Sequence, residues 1–352
     1  MNHAEKTIKD LENRYGLGIQ FRHDISILIN TSSVVFSSGI PFEIKNLAPR
    51  EIEFIQMLQV GVTFESLKAF LAQPRIDSMV NQFFKRNLLK SYFQDTGKEE
   101  SHLNRQLHWL SHYHRDAHLA QLTFSRKKVL ILGCGGTGGI IAQHLARSGL
   151  LNFVLIDGGK VDAPDLNRQM SYYPKHIGQF KVDVLSTELA SIDFNIQCAT
   201  HAEFIHSSDQ LQQIVEQTKP DLIVNCADQP SIDIQLWAVQ SAIRFQVPIL
   251  FGNVGLEDAF LGPFLTTVEA MTKYENRVRR LKEKLGSRVT VLKSSLCFTN
   301  SLASTMLAFE AFKFLSQTTH NSLIDKMMSW DFQNVPMKLK LDYSNWSANE
   351  TA

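Results

Sequence analysis

Six polar side chains, Asp157, Asn167, Arg168, Gln169, Lys181 and Asp228, have the types and order needed to hold a polyphosphate and polarise it. Asp157 closes an apolar run, Phe153 to Ile156, and stands where a ribose-binding carboxylate belongs. Asn167-Arg168-Gln169 follows, and Gly178-Gln-Phe-Lys181 then adds an ammonium. A dinucleotide gains little from two further cations, because backbone amides already hold its pyrophosphate. A nucleoside triphosphate carries more negative charge, and in-line displacement at its α-phosphate develops more still, a task suited to Arg and Lys clamps. Asp228 ends the stretch Pro220-Asp-Leu-Ile-Val-Asn-Cys-Ala-Asp228. A carboxylate among triphosphate oxygens is repelled unless a divalent cation lies between, which reads Asp228 as a Mg2+ ligand. Its other reading is an N-cap for a helix from Ser231 to Arg244.

These groups need a scaffold that brings them to one crevice. Val129 to Leu132 read as a buried strand, since four apolar residues meet a glycine-rich turn without polar alternation. Gly133, Gly135 and Gly138 satisfy G-x-G-x-x-G, Gly136 adds a fourth glycine, and Ile140 to Arg147 continue as a helix. Missing Cβ atoms let an anion reach backbone N–H groups at the positive helix end. Open α/β sheets bind ligands outside the carboxyl ends of their strands, so Asp228 is expected in the same crevice as Gly135 and Asp157. The fold class is therefore α/β, with a Rossmann-like doubly wound sheet. On the glycine turn alone, an NAD- or FAD-dependent oxidoreductase fits as well.

Gly133-Cys-Gly-Gly-Thr-Gly138, Asp157, Asn167-Arg168-Gln169, Gly178 to Lys181 and Cys226-Ala-Asp228 come in an order that resembles the ThiF/MoeB/E1 superfamily of ATP-dependent carboxylate-adenylating enzymes. The resemblance spans roughly residues 100 to 316. It implies that Asp157 binds the ribose hydroxyls, that Asn167, Arg168 and Lys181 hold the phosphates, and that Asp228 binds Mg2+. It also implies a homodimer and an arginine upstream of the first strand that reaches the γ-phosphate of a partner subunit. Arg105 is the best match, with Arg115 as competitor. Many members carry a zinc site of paired C-x-x-C motifs. Cys134, Cys198, Cys226 and Cys297 contain no such pair, so no zinc is expected. Cys297, flanked by Leu296 and Phe298, reads as a buried structural thiol, which predicts direct capture of the acyl-adenylate without a thioester.

Residues 1–95 suggest what is activated. Ile25 to Asn30 and Val34 to Phe36 read as strands, with a turn region around Gly39 and Pro41. Helical patterns follow at Pro49 to Gln59, Phe64 to Ala72 and Ile76 to Leu89. The set resembles a winged-helix unit, like the modules that recognise leader peptides by strand addition. Its other reading is a packing or dimerisation domain. Fused to an adenylation core over 96–352, it is similar to the peptide-modifying branch of the superfamily that includes the microcin C7 and pantocin A enzymes. That likeness implies a ribosomal precursor peptide as substrate, activated on Glu side chains with internal capture and loss of water, or on its C-terminal carboxyl. A non-catalytic peptide-binding scaffold is the remaining alternative.

The chain carries 36 basic and 35 acidic residues, no electrostatic footprint for nucleic acid. No apolar run reaches transmembrane length, the N-terminus lacks a signal-peptide pattern, and four unpatterned cysteines suit a reducing cytoplasm. His108, His112, His114 and His118 are spaced to face one side of a helix, and read as ordinary surface histidines rather than a metal site. Val268 to Leu285 is a basic helix, either a solvated face or a hold on an acidic peptide. Met328 to Leu341 reads as a closing hairpin, and Trp346 to Ala352 as a frayed tail.

Overall fold

The computed structural model describes residues 3–15, 18–37, 41–92, 102–255, 258–286, 295–318, 321–331 and 337–343. The tail expected at Trp346 to Ala352 and the turn at Gly39 lie outside them. Two compact units are present, Met1–Leu122 and Thr123–Ala352, so the division falls later than the expected one after residue 95. No helix among the described residues is long and apolar enough to cross a membrane.

The first unit has more strands than the expected pair. Helix α1 (His3–Tyr15) precedes β1 (Gly18–Phe21), and β2 (Ser26–Ile29), β3 (Ser33–Ser37) and β4 (Phe42–Lys45) form an antiparallel meander. Helix α2 (Pro49–Val60) starts at a proline, whose missing N–H costs nothing in the first turn. Its Glu51 accepts the Ala48 N–H at 2.8 Å and pairs with Arg75 at 3.2 Å. Strand β5 (Val62–Thr63), helices α3 (Phe64–Leu71) and α4 (Pro74–Lys85) and strand β6 (Leu89–Ser91) follow, and β5 and β6 flank β1 in a second sheet. Phe21, Phe36 and Phe83 meet at ring separations of 5.0–5.3 Å in the core. Strands β1, β5 and β6 are too short for an alternation to be readable in sequence.

The histidines are not a helix face. Helix α5 (Asn104–Leu110) holds only His108 of the four, and His118 lies on α6 (Ala117–Arg126), which runs across the division between the units. Of the four, only His118 is exposed; His108, His112 and His114 are half-buried. His23 lies against His108 with ring centroids 4.3 Å apart, and burial together with the nearby Lys90 charge lowers the pKa of His23 and of His112 to about 4. Lys90 is 1% exposed, donates to Ser111 Oγ at 2.8 Å, and burial lowers its pKa to about 8. Among the described residues no histidine, cysteine and carboxylate group is placed to hold a metal ion.

The second unit is a doubly wound α/β fold. Parallel strands β7 (Lys128–Leu132), β8 (Asn152–Ile156), β9 (Gln197–His201), β10 (Leu222–Asn225) and β11 (Ile249–Val254) stand in the order β11-β10-β7-β8-β9. Strand order therefore reverses between β7 and β10, the switch point at which such sheets open a crevice. Residues of the central strands are buried on both faces, as continuous Val/Ile/Leu runs require. Antiparallel strands β12 (Asp258–Leu265), β13 (Lys326–Asp331) and β14 (Met337–Asp342) extend the β11 side, the last two as the expected closing hairpin. Helix α7 (Gly136–Arg147) packs between α8 (Lys181–Ile192) and α12 (Cys297–Leu315), and α10 (Ser231–Phe245) between α9 (Ser208–Thr218) and α11 (Val268–Leu285). Half of the basic residues of α11 are paired locally: Lys273 pairs with Glu269, Arg279 with Glu275 and Lys282 with Asp233.

Candidate active site

Strand β7 ends at Gly133, whose φ of +89° favours glycine. A Cβ there would lie 2.7 Å from the Ala227 nitrogen, so the turn packs directly on the chain leaving β10. At Gly138 a Cβ would collide with the Gly133 carbonyl oxygen. These two glycines let strand, turn and helix close on one another. Gly135 is different, since a Cβ there would have nothing nearer than the Gln169 side chain at 3.8 Å. It is the N-cap of α7 and supplies no side-chain cap, which leaves the first-turn N–H groups to an incoming anion. Gly136 backs onto Asn300 of α12, whose Oδ1 accepts from Thr137 Oγ1 at 3.4 Å.

Asp157, just past β8, spans the gap between neighbouring strand ends. Its Oδ2 accepts the Cys134 N–H at 2.8 Å and its Oδ1 the Gly159 N–H at 2.7 Å. The carboxylate thus holds the glycine turn in place while remaining half-exposed at the crevice. Tyr172 supports the same turn, donating to the Cys134 carbonyl at 2.6 Å.

Arg168, Gln169 and Lys181 converge on one residue that the sequence reading did not single out, Asp165. Its Oδ2 lies 3.1 Å from Lys181 Nζ, and its Oδ1 accepts from Gln169 Nε2 at 2.5 Å and pairs with Arg168 Nη2 at 3.4 Å. Arg168 also donates to the Pro164 carbonyl at 2.6 Å and to Asn167 Oδ1 at 3.1 Å. Asn167 reaches the Ser295 carbonyl at 3.3 Å, ahead of α12. Lys181 is the first residue of α8, and its backbone N–H donates to the Gly159 carbonyl at 3.0 Å. The one local signal for Asp165 is the Asp162-Ala-Pro-Asp165 turn, in which Asp165 accepts the Asp162 N–H at 3.1 Å.

Asp228 is exposed beyond β10, two residues after Cys226, whose N–H donates to the Leu132 carbonyl at 2.8 Å. It forms no hydrogen bond or ion pair among the described residues. It does not cap α10, whose N-cap is Pro230 without a side-chain bond. A lone carboxylate suits Mg2+, which keeps several waters and takes its other ligands from phosphate oxygens. Arg105 is exposed on α5 in the first unit, and Arg115 of that unit donates to the Glu12 carbonyl. Cys297 is half-buried rather than buried, because Leu296 and Phe298 beside it are exposed at the first turn of α12. Burial pushes the Cys226 thiol up to about 12 and raises that of Cys134 well above its ordinary value.

Residues 103–344 match the ThiF family. Among curated proteins, the chain is 28% identical over 129 residues to the tRNA threonylcarbamoyladenosine dehydratase of Bacillus subtilis, covering 36% of this chain and 49% of that protein. It is 32% identical over 111 residues to the adenylyltransferase and sulfurtransferase uba4 of Aspergillus niger, covering 32% and 22%. The chain thus spans about half or less of the length of these relatives. Among solved structures, E. coli MccB with AMPCPP and MccA superposes with a TM-score of 0.74 at 17% identity, over 92% of this chain and 96% of MccB. PaaA superposes with a TM-score of 0.61 at 20% identity, over 78% and 94%. The likeness to both is one of fold.

Proposed function

The chain belongs to the ThiF family, and on that premise we propose that it activates a carboxylate of a ribosomally made precursor peptide by transfer to AMP. The observation that carries this is the uncapped glycine cradle at the N-terminus of α7, beside the switch point; Arg168 and Lys181, paired through Asp165, and the uncommitted Asp228 beyond β10 are read with it as the phosphate and metal groups. A carboxylate is a poor electrophile. Its oxygen attacks the α-phosphorus of ATP, pyrophosphate leaves, and the resulting mixed anhydride carries AMP as a good leaving group. A nucleophile then attacks the acyl carbon and AMP departs. The first-turn amides of α7 with Arg168 and Lys181 orient the phosphates and take up the charge that develops on them. Asp157 meets the ribose, and Gln169 and Asn167 frame the phosphate end. Asp228 would hold Mg2+, which would supply charge to draw off pyrophosphate.

The structural neighbour MccB has been solved with ATP and with MccA, which supports a peptide substrate. We infer that the first unit binds the leader of that peptide, that Glu side chains are activated and captured internally with ring closure, and that the protein acts in the cytoplasm as a homodimer with Arg105 completing the neighbour's site. The raised thiol pKa values of buried Cys134 and half-buried Cys226 disfavour a thioester at those two residues. Activation of a C-terminal carboxyl is the alternative within the same chemistry.

Pyrophosphate release from Mg-ATP, with short peptides encoded beside this gene, tests the reading. Peptide-dependent release should fall at least about a hundredfold in Asp228→Ala, and the peptide's mass change then identifies the capture step. No release with any peptide, combined with tight NAD binding, would sink adenylation in favour of redox chemistry.

A further inference from the structure

Three of the phosphate-end groups, Arg168, Gln169 and Lys181, share one carboxylate. The two oxygens of Asp165 receive the Lys181 ammonium, the Arg168 guanidinium, the Gln169 amide and the Asp162 N–H. Side-chain exposures of 11% for Asp165 and 14% for Lys181 keep this pair largely out of water, where salt screens it weakly. Asp165 cannot follow its partners outward. Its own peptide group closes the turn, with the N–H donating to the Asp162 carbonyl and the carbonyl accepting from Arg168 and Gln169.

We propose that Asp165 is a positioning residue that acts as the built-in counter-anion of the phosphate clamp: its carboxylate aligns Lys181 and Arg168 and competes with phosphate oxygens for them. This rests on the reading that those two cations take phosphates. Two consequences follow from the geometry. First, a monoanion offers no more charge than the fixed carboxylate already present, whereas a polyphosphate offers more, so the clamp selects for polyanions. Second, with its nitrogen held by Asp165, Gln169 has its amide oxygen buried without a partner among the described residues, beside Gly135. Asp165 therefore also fixes the orientation of that amide beside the cradle.

The test is calorimetric binding of inorganic pyrophosphate and of a non-hydrolysable ATP analogue to wild type and Asp165→Asn. The variant keeps the shape and one acceptor oxygen but removes the charge, with an NH2 in place of the second oxygen. Pyrophosphate should bind about tenfold tighter, while peptide-dependent turnover falls by about tenfold because the released cations lose alignment. In a Lys181→Gln background the affinity gain should shrink to about twofold or less, an outcome that a merely structural role would not produce. A folded Asp165→Asn with unchanged or weaker pyrophosphate binding overturns the proposal, as does an undiminished gain in the Lys181→Gln background. Should Asp165→Asn fail to fold, Asp165→Glu retains the charge and should stay within about twofold of wild type; a clear gain there overturns the idea. Failure of pyrophosphate to bind any variant also overturns it. Pyrophosphate binding without binding of the ATP analogue would refute adenylation alone, leaving the Asp165 comparison to stand or fall by itself.

Discussion

At the residue scale, the four glycines of the cradle divide by what surrounds them. Gly138 serves packing, because a Cβ would strike the Gly133 carbonyl, whereas Gly135 has room for one. Gly138→Ala should therefore lower unfolding free energy by about 2–4 kcal/mol, seen as a reduced melting temperature. Gly135→Ala should melt near wild type but lose nucleotide affinity, since the added methyl stands where the anion approaches the α7 amides. Equal destabilisation by both would mean that the turn is closed to anions. The pattern of glycines, Asp157, Arg168, Lys181 and Asp228 was legible because each type has a chemical reason to stand at the end of a readable strand or helix. Asp165 was not. A carboxylate in a short turn has no periodicity, and its meaning comes from Lys181, brought to it by the fold.

At the element scale, legibility followed length and burial. Strands β7, β8 and β10 are unbroken apolar runs ending in a turn, and α11 and the closing hairpin were equally apparent. Strands β1, β5 and β6 are two to four residues long and took their structure from tertiary pairing. The spacing of the histidines suggests one helix face, but α5 stops at Leu110 and leaves His112 and His114 beyond it. Packing there has a measurable result. His23 and His112 have pKa values lowered to about 4, so between about pH 6.5 and 4 the unfolded chain binds protons that the folded unit refuses. Lys90, lowered to about 8, refuses a proton in the same way between about pH 10.5 and 8. Both effects raise stability as pH rises. The first unit should loosen on acidification from pH 6.5 to 4 and firm up from pH 8 to 10.5, as read by hydrogen exchange in α5 and β6. His112→Asn should roughly halve the slope of the acid limb, His23 keeping its share, and leave the alkaline one. An acid limb of unchanged slope would show that His112 binds its proton as readily in the folded unit as in the unfolded chain.

At the scale of the whole molecule, the groups proposed to meet ATP divide unequally between the two units. Amides of α7, Arg168, Lys181, Asp157 and Asp228 all belong to the second unit, whereas Arg105 belongs to the first. If Arg105 serves the γ-phosphate of a neighbouring subunit, a site draws on two chains, and damage to one chain's contribution is separable from damage to the other's. Arg105→Ala and Asp228→Ala should each be nearly inactive as homodimers. In a heterodimer, one site combines the intact Asp228 of the first chain with the intact Arg105 of the second, while the other site lacks both. Random exchange makes half of the dimers mixed, so about a quarter of all sites should recover. Pyrophosphate release after mixing and re-equilibrating the two variants would therefore rise to about a quarter of the wild-type rate, with light scattering confirming a dimer. A mixture as inactive as its parts would place the arginine within its own chain's site or outside the chemistry, and a fully active monomer would remove the need for a neighbour altogether.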